Sequence, residues 1–377
     1  MEKLLIEICN PKQWKTISTN NLLSEGYTVY GANGVIGYYN QYTHENPTLM
    51  ITCRGATCGT LNISEPFSYI NGNAMALDNL TDDVHIKYLY YYLMNRGFND
   101  VISGSAQPQI TRIGLSKIKV NYPNIEIQNK IVEVLDKAQE LIDKRKEQIE
   151  SLDELVKSRF IEMFGNPVNN PRGWEVKRLN DISTEILSGT TPKGGSQVYI
   201  EKGIIFLRSQ NVWKNKLVLD DVAYIDEETH NSMKKSSLKN RDILITKTGR
   251  INTENSSLGR AAMFLGEDDS ANINGHVYLI RLKKNIINEF VLFILTIDVY
   301  REYIRSVCVG GIDKRQINKE HLEEFPIILP PVELQNEFVG FIKEVDKLKL
   351  KIEDSLKQLE DNFNSLMQKV FKGELFN

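Results

Sequence analysis

A chain of 377 residues with 46 Lys+Arg, 49 Asp+Glu and 41% hydrophobic residues is long enough for two or three domains, each with its own core. No run approaches the ~20 consecutive apolar residues of a membrane span, and the N-terminal stretch MEKLLIEICNPKQW is too short in its apolar part and too acidic for a signal peptide, so a cytoplasmic protein with no membrane partner is expected. Cys9, Cys53, Cys58 and Cys308 have no CxxC spacing, which leaves no disulfide framework or metal site in view, and the net charge of −3 argues against nucleic acid only if it is evenly spread.

Residues 1–123 alternate short β-rich runs such as PTLMITC (47–53) with Gly/Asn turns, and hold one helical segment, HIKYLYYYLMNR (85–96). Residues 124–166 read as one helix. Leu135, Ile142, Ile149, Val156 and Met163 recur every seven positions, with Ala138 and Leu152 on the adjoining seam and Arg145 and Arg159 interrupting it. From Glu126 to Phe164 this makes a rod of roughly 60 Å. Residues 167–330 return to β-rich runs, GIIFLR (203–208), DILITK (242–247) and HVYLIRL (276–282), followed by a helical segment at 288–304. Residues 331–377 form a second rod, with Ile342, Leu356, Phe363 and Val370 beside Val345, Ile352, Leu359 and Leu366. The two rods can bury their stripes as an antiparallel pair, but Leu141, Leu155, Phe341 and Leu348 widen those stripes beyond a two-helix seam, which predicts a further helical partner.

The halves resemble each other. An offset of 207 places Gln109, Ile110, Leu115, Pro123, Glu126, Gln128 and Asn129 on Gln316, Ile317, Leu322, Pro330, Glu333, Gln335 and Asn336, and continues to Phe164 on Phe371. Upstream, ING (70–72) matches 273–275 at an offset of 203, ITCRG (51–55) matches ITKTG (245–249) at 194, and NPKQW (10–14) matches NPRGW (170–174) at 160. Offsets that grow in one direction mean that the second copy carries insertions. The expected fold class is therefore α/β (α+β): two strand-rich mixed globular domains, 1–123 and 167–330, joined by two long antiparallel helices, 124–166 and 331–377, as a pseudo-two-fold internal repeat.

Charge follows this division. Residues 1–123 carry nine basic and nine acidic side chains and residues 166–330 carry 23 and 21, whereas residues 124–165 carry seven and ten and residues 331–377 seven and nine. Acid is concentrated in the rods, so the globular segments are free to present a basic face. Motifs for chemistry are missing: there is no GxxxxGK[ST], no HExxH, and the one Pro-Pro pair, Pro330-Pro331, precedes Val332 rather than an aromatic residue. Asp242 and Lys247 flank a run of nuclease appearance, but Ile and Thr stand where a second carboxylate belongs, and Asp242 reads as a turn residue leading into a buried strand. No catalytic residue is assigned.

The ordered phrases VYGANGVIGYY (29–39), NPRGWEVKRLNDI (170–182), GIIFLRSQNV (203–212) and the twice-used PxxExQN make the chain, over nearly its whole length, similar to the specificity (S) subunit of type I restriction-modification systems. The resemblance implies two target recognition domains, each reading one half of a bipartite site in double-stranded DNA. It implies that the helices space these domains and dock two adenine-methylating modification subunits, which use S-adenosylmethionine, so that this chain itself needs no cofactor and is not an enzyme. Motor-nuclease restriction subunits would complete a restricting complex. The competing readings are a coiled-coil scaffold whose globular domains bind proteins, and an enzyme with an unrecognised site.

If the domains read DNA, the candidates follow from residue type and turn. Arg54 and Gly55 close the first copy's ITCRG turn, and Lys247, Thr248 and Arg250 its second-copy counterpart. Arg208, Gln210 and Asn211 of LRSQN suit guanine and adenine edges, although Ser-Gln-Asn is equally an ordinary loop. Tyr30 and Asn33 sit in YGANG, where the competing reading is a turn with positive φ at Gly31 or Gly34. Asn73 and His276 follow ING in the two copies, the alternative for His276 being burial against backbone; Lys314 and Arg315 would touch phosphate. On the helices, Leu135, Ile142, Ile149, Leu152, Val156, Leu348, Leu356, Leu359 and Phe363 are expected to serve packing or subunit docking.

Overall fold

The computed structural model describes every residue except 105, 106, 252, 254, 312 and 377. The chain forms two compact units, Met1–Gln148 with Ile352–Asn377, and Ile149–Lys351, so each long helix, Ile125–Phe164 and Val332–Phe371, contributes to both. Among the described residues no helix is long and apolar enough to cross a membrane.

In the first unit a four-stranded antiparallel sheet runs in the order Asn10–Gln13, Ala74–Asp78, Leu49–Thr52, Leu61–Ile63. Leu49–Thr52 is buried along its length, which is why it reads as a continuous apolar run without alternation. A second sheet pairs Gly34–Tyr39 with Tyr27–Gly31 and the latter, in parallel, with Tyr69–Ile70. The second unit repeats both. Ser183–Ser188, Val277–Leu282, Ile243–Thr246 and Ala261–Met263 form the four-stranded sheet, and Ala223–Ile225, Ile204–Leu207 and, in parallel, Ala271–Ile273 form the smaller one.

Backbone hydrogen bonds show how deep the duplication goes. Ile110 N donates to Cys53 O at 3.0 Å and Ile317 N to Lys247 O at 2.8 Å, while Cys53 N donates to Asn73 O at 3.3 Å and Lys247 N to His276 O at 2.9 Å. Both pairs obey the offsets of 194, 203 and 207 read from the sequence. The fourth landmark is corrected. Leu5 N donates to Ile118 O and Leu179 N to Phe325 O, so the N-terminal equivalence is Leu5 with Leu179, an offset of 174 instead of 160. NPKQ is a sheet strand, Asn10–Gln13, whereas NPRGW follows the central helix: Gly165 turns there with φ +76, and Trp174 Nε1 donates back to Phe164 O at 2.9 Å. The same word serves two structures.

The helical expectation for 288–304 is also corrected, because it breaks into Asn288–Thr296 and Asp298–Val307. The Thr296 hydroxyl donates to the carbonyls of Leu292 and Phe293, and buried Ile297 takes an extended conformation at ψ 141°.

Within each unit the long helices pack antiparallel. In the first, Leu135 and Ile142 share a core with Phe363, Met367 and Val370, and Lys146 pairs with Glu360 at 3.2 Å. In the second, Val156, Phe160 and Phe164 meet Phe338 and Val345, with Arg159 to Glu337 at 2.9 Å and Lys349 to Asp153 at 2.6 Å. Ile149, Leu152, Leu356 and Leu359 are half-buried, as packing residues at a helix edge. Leu348 at 48% exposure, like Leu141 at 52% and Leu155 at 48%, is open, which leaves it little part in packing the helix pair. PxxExQN turns out to be a joint. Buried Gln128 donates from Nε2 to Pro123 O at 2.9 Å and Asp83 O at 2.8 Å, and Gln335 Nε2 donates to Pro330 O at 2.7 Å, satisfying carbonyls where each globular part meets its helix.

Candidate nucleic-acid interface

In the first unit the strand Leu49–Thr52 ends in the turn that carries Arg54 and Gly55. Gly55 has φ +91 and a Cβ placed there would meet nothing within 4 Å, so the left-handed backbone, not crowding, demands glycine and leaves the turn open. Arg54 is exposed, pairs through its backbone with Gln109, and has no carboxylate partner among the described residues. The tip between Tyr27–Gly31 and Gly34–Tyr39 is tied to the same turn: Thr52 Oγ1 donates to Ala32 O and Thr57 Oγ1 to Asn33 Oδ1. Asn33 is thus exposed beside Arg54, and exposed Asn73 lends its carbonyl to Cys53. Tyr30 is corrected to a core residue, buried with its hydroxyl accepting from Glu65 N at 3.2 Å. The positive φ of YGANG lies at Gly34, +96.

Arg54 also borders a cleft of about 250 Å³ whose other polar side chains include Lys12, Gln13, Gln109 and Arg112, with no carboxylate in its lining. Lys12 Nζ lies 3.6 Å above the Trp14 ring, and Arg112 Nη2 donates to Asn10 Oδ1 at 2.9 Å. Sequence reasoning missed Lys12, Gln13 and Arg112. Their signal was available in Gln109, which anchors the repeat and pairs with Arg54.

The second unit keeps the frame and changes the side chains. Thr248 pairs with Gln316 as Arg54 does with Gln109, inside a small sheet of Thr248–Arg250, Lys314–Gln316 and Val309–Gly310. Arg250 and Lys314 face each other across it, both exposed, with Asp313 3.5 Å from Arg250; Arg315 is half-buried, its Nη1 3.4 Å from Arg305 O. Lys247 is corrected as a DNA-contact candidate. Its Nζ donates to Gly275 O at 2.7 Å and to Ser188 Oγ, over the Tyr278 ring at 4.1 Å, and burial pushes the ammonium down to about 8. His276 is exposed, not buried against backbone. LRSQN is corrected as well. Asn211, 1% exposed, accepts from Arg208 N and donates to Val218 O and Asp221 O; the Arg208 guanidinium and Gln210 Nε2 both hold Asp221, Gln210 foremost in keeping that carboxyl below its ordinary range.

The arrangement suits a polyanion. Cations without carboxylate partners, carboxamides and a glycine turn gather at one edge of the first unit, and Arg250, Lys314 and His276 follow the equivalent turn of the second. A larger cleft of about 790 Å³ in the first unit is lined by Glu45, Asp78 and Asp82, the wrong sign for such a ligand. Asp242, 1% exposed, accepts from Arg281 and from Lys239 N, so it does not act with Lys247; among the described residues no group of His, Cys, Asp and Glu could hold a metal.

Known proteins resemble the chain in both units. The family model for the type I restriction modification DNA specificity domain matches residues 1–152 and again residues 171–360. The type I restriction enzyme MjaIX specificity subunit of Methanocaldococcus jannaschii is 25% identical over 318 residues, covering 78% of this chain and 70% of that protein. Another protein of the same archaeon is 24% identical over 207 residues, which is 55% of this chain and 47% of the relative, so the chain spans about half its length. Among solved structures, the S subunit of the type I restriction-modification system of M. genitalium matches 98% of this chain and 95% of its own with a TM-score of 0.56 and 15% identity, a likeness of fold.

Proposed function

Because the chain belongs to the family of type I restriction modification DNA specificity proteins, we propose that each of its globular units reads one half of a bipartite, asymmetric DNA site. The observation that carries this is the recurrence of one backbone frame with different side chains on it: Arg54 against Thr248, and Asn73 against His276. A frame that repeats while its readers differ suits two unlike half-sites. In the first unit the readers are Arg54, Gln109, Asn33 and Asn73, with Gly55 giving close approach and Lys12 and Arg112 on phosphate. In the second they are Thr248, Arg250 and His276, with Lys314 and Arg315 on phosphate. Each bidentate base contact contributes about 1–3 kcal/mol of discrimination.

The chain itself is non-catalytic in this reading. Two modification subunits dock on the long helices, whose open Leu141, Leu155 and Leu348 offer them apolar surface. They bind S-adenosylmethionine and flip the target adenine, while this chain fixes register; motor-nuclease subunits join where the complex restricts. Methylome sequencing of a host carrying the chain with its modification subunit tests the whole reading and should give a two-part motif. Exchanging residues 175–329 for those of another family member should alter one half of it, and a change in both halves would overturn the modular reading. For docking, Leu141→Glu with Leu155→Glu should abolish co-purification with the modification subunit while leaving the melting curve in place, since both side chains are open.

A further inference from the structure

The second unit departs most from the first in the connection between the first two strands of its smaller sheet. In the first unit Tyr27–Gly31 and Gly34–Tyr39 are joined by Ala32 and Asn33 alone; in the second, residues 208–222 lie between Ile204–Leu207 and Ala223–Ile225. This longer connection folds into a hairpin. Val212 pairs with Leu217, Trp213 N donates to Lys216 O at 2.8 Å, and Asn215 takes φ +53 at the tip, its N–H held by Ala261 O at 2.8 Å. Its base is fixed by the buried Asn211.

The tip is Trp213, Lys214, Asn215 and Lys216, all exposed. Of the three tryptophans, Trp14 and Trp174 donate their indole N–H groups internally, to Asp78 and to Phe164 O. Trp213 is 37% open and lies with one face on the Arg260 guanidinium, 3.7 Å from its ring centre. Arg260 is itself locked, its Nε donating to Ser256 O at 3.0 Å and its backbone N to Thr246 Oγ1 at 3.0 Å. Thr246 is the counterpart of Thr52, which ties the Ala32 tip to the Arg54 turn, so both tips stand at the same edge of their units. Two carboxylates near the hairpin are engaged elsewhere, Asp221 with Arg208 and Asp298 with Lys157 at 3.0 Å.

We propose that this hairpin grips the sugar–phosphate backbone of duplex DNA beside the half-site of the second unit, with Lys214 and Lys216 on phosphates and the braced Trp213 ring on deoxyribose. The inference rests on the DNA-reading role proposed above and adds a positioning element to it. Lysines act as point charges without base geometry, so the hairpin contributes affinity and register and leaves the recognised letters alone.

The experiment measures binding of the full chain to a fluorescently end-labelled random-sequence duplex by anisotropy against salt concentration, with tryptophan emission followed alongside. Lys214→Gln with Lys216→Gln should lower the slope of log K on log salt by about 2, since each phosphate contact contributes about 0.9. Emission of the native chain should be quenched by DNA and that response lost in Trp213→Phe, and Trp213→Ala should bind at least tenfold more weakly with its slope retained. A native chain that binds with a salt-dependent slope which the double lysine variant leaves unchanged, or whose quenching survives in Trp213→Phe, overturns the hairpin grip and spares the DNA-reading role. A native slope near zero removes both.

Discussion

Position 78 of the first unit and position 281 of the second occupy the same place in matched sheets, yet one is Asp78 and the other Arg281. Asp78 accepts from Trp14 Nε1 at 3.1 Å and lies 2.9 Å from His44 Nε2, whereas Arg281 donates to both oxygens of Asp242 and to Glu185. A second exchange concerns the glycine carbonyl of the ING turn. Gln13 reaches Gly72 O at 3.0 Å from the strand on one side of Ala74–Asp78, while in the other unit Lys247 reaches Gly275 O from just beyond Ile243–Thr246, on the opposite side of the matched strand. The backbone frame is conserved between the units and each has found its own partners for the buried polar groups the frame creates. A charged side chain on that frame cannot therefore be transplanted alone, because its partner is not waiting in the other unit.

The largest expected break in this comparison is Arg281→Met, which strands a carboxylate that is 1% exposed. It should cost the second unit about 3–5 kcal/mol in denaturant unfolding. Arg281→Met with Asp242→Leu should recover most of that loss, and a single variant as stable as the native chain would refute the buried-pair account. Next in size, Arg54→Ala should weaken specific binding by about 1–3 kcal/mol and relax the first half of the motif only, whereas Thr248→Ala at the matched position should act on the second half only. Loss of both halves from either variant would mean that the frame, and not the reader, had been damaged.

The smallest effect is a difference in pH dependence at positions 53 and 247. Burial pushes the Lys247 ammonium down to about 8, so the folded second unit binds that proton less tightly than the unfolded chain and should gain stability as pH rises from about 8 toward 10.5. Burial pushes the Cys53 thiol up from 9.0, so the folded first unit holds its proton more tightly and should lose stability as pH rises past 9.0. Melts read at Trp14 and Trp174 in single-tryptophan variants should show opposite slopes there, flattened by Cys53→Ser and Lys247→Gln respectively.

What was legible in the sequence was whatever the backbone repeats. The offsets of 194, 203 and 207 fall on residues whose peptide groups pair identically in both units, and heptads of apolar residues are visible because a helix face must be buried over many turns. The NPKQW match misled because five residues of turn-forming composition fit a strand entry and a helix exit equally well. The break at Ile297 was hidden because the run is apolar and helical in composition on both sides of it, and the threonine hydroxyl that bonds back to two carbonyls there leaves no mark in the pattern. Tyr30, Asn211 and Lys247 had the right chemistry for DNA, but whether a polar side chain faces out or satisfies an internal carbonyl depends on neighbours brought from distant segments. Lys12 and Arg112 escaped for the same reason: the cleft that joins them with Arg54 exists only once three separate stretches are folded together.

The sharing of each long helix between the units bears on how the chain is made. Tyr88 and Tyr92 of the first unit close on Phe371, and Tyr91 on Phe363, residues that a ribosome supplies after the whole second unit. The second unit, a continuous segment, can condense while synthesis proceeds; the first, though emerging earliest, keeps an open apolar seam along Leu135 and Ile142 until the final helix arrives to cover it. In birth order, the first unit is the last to be finished.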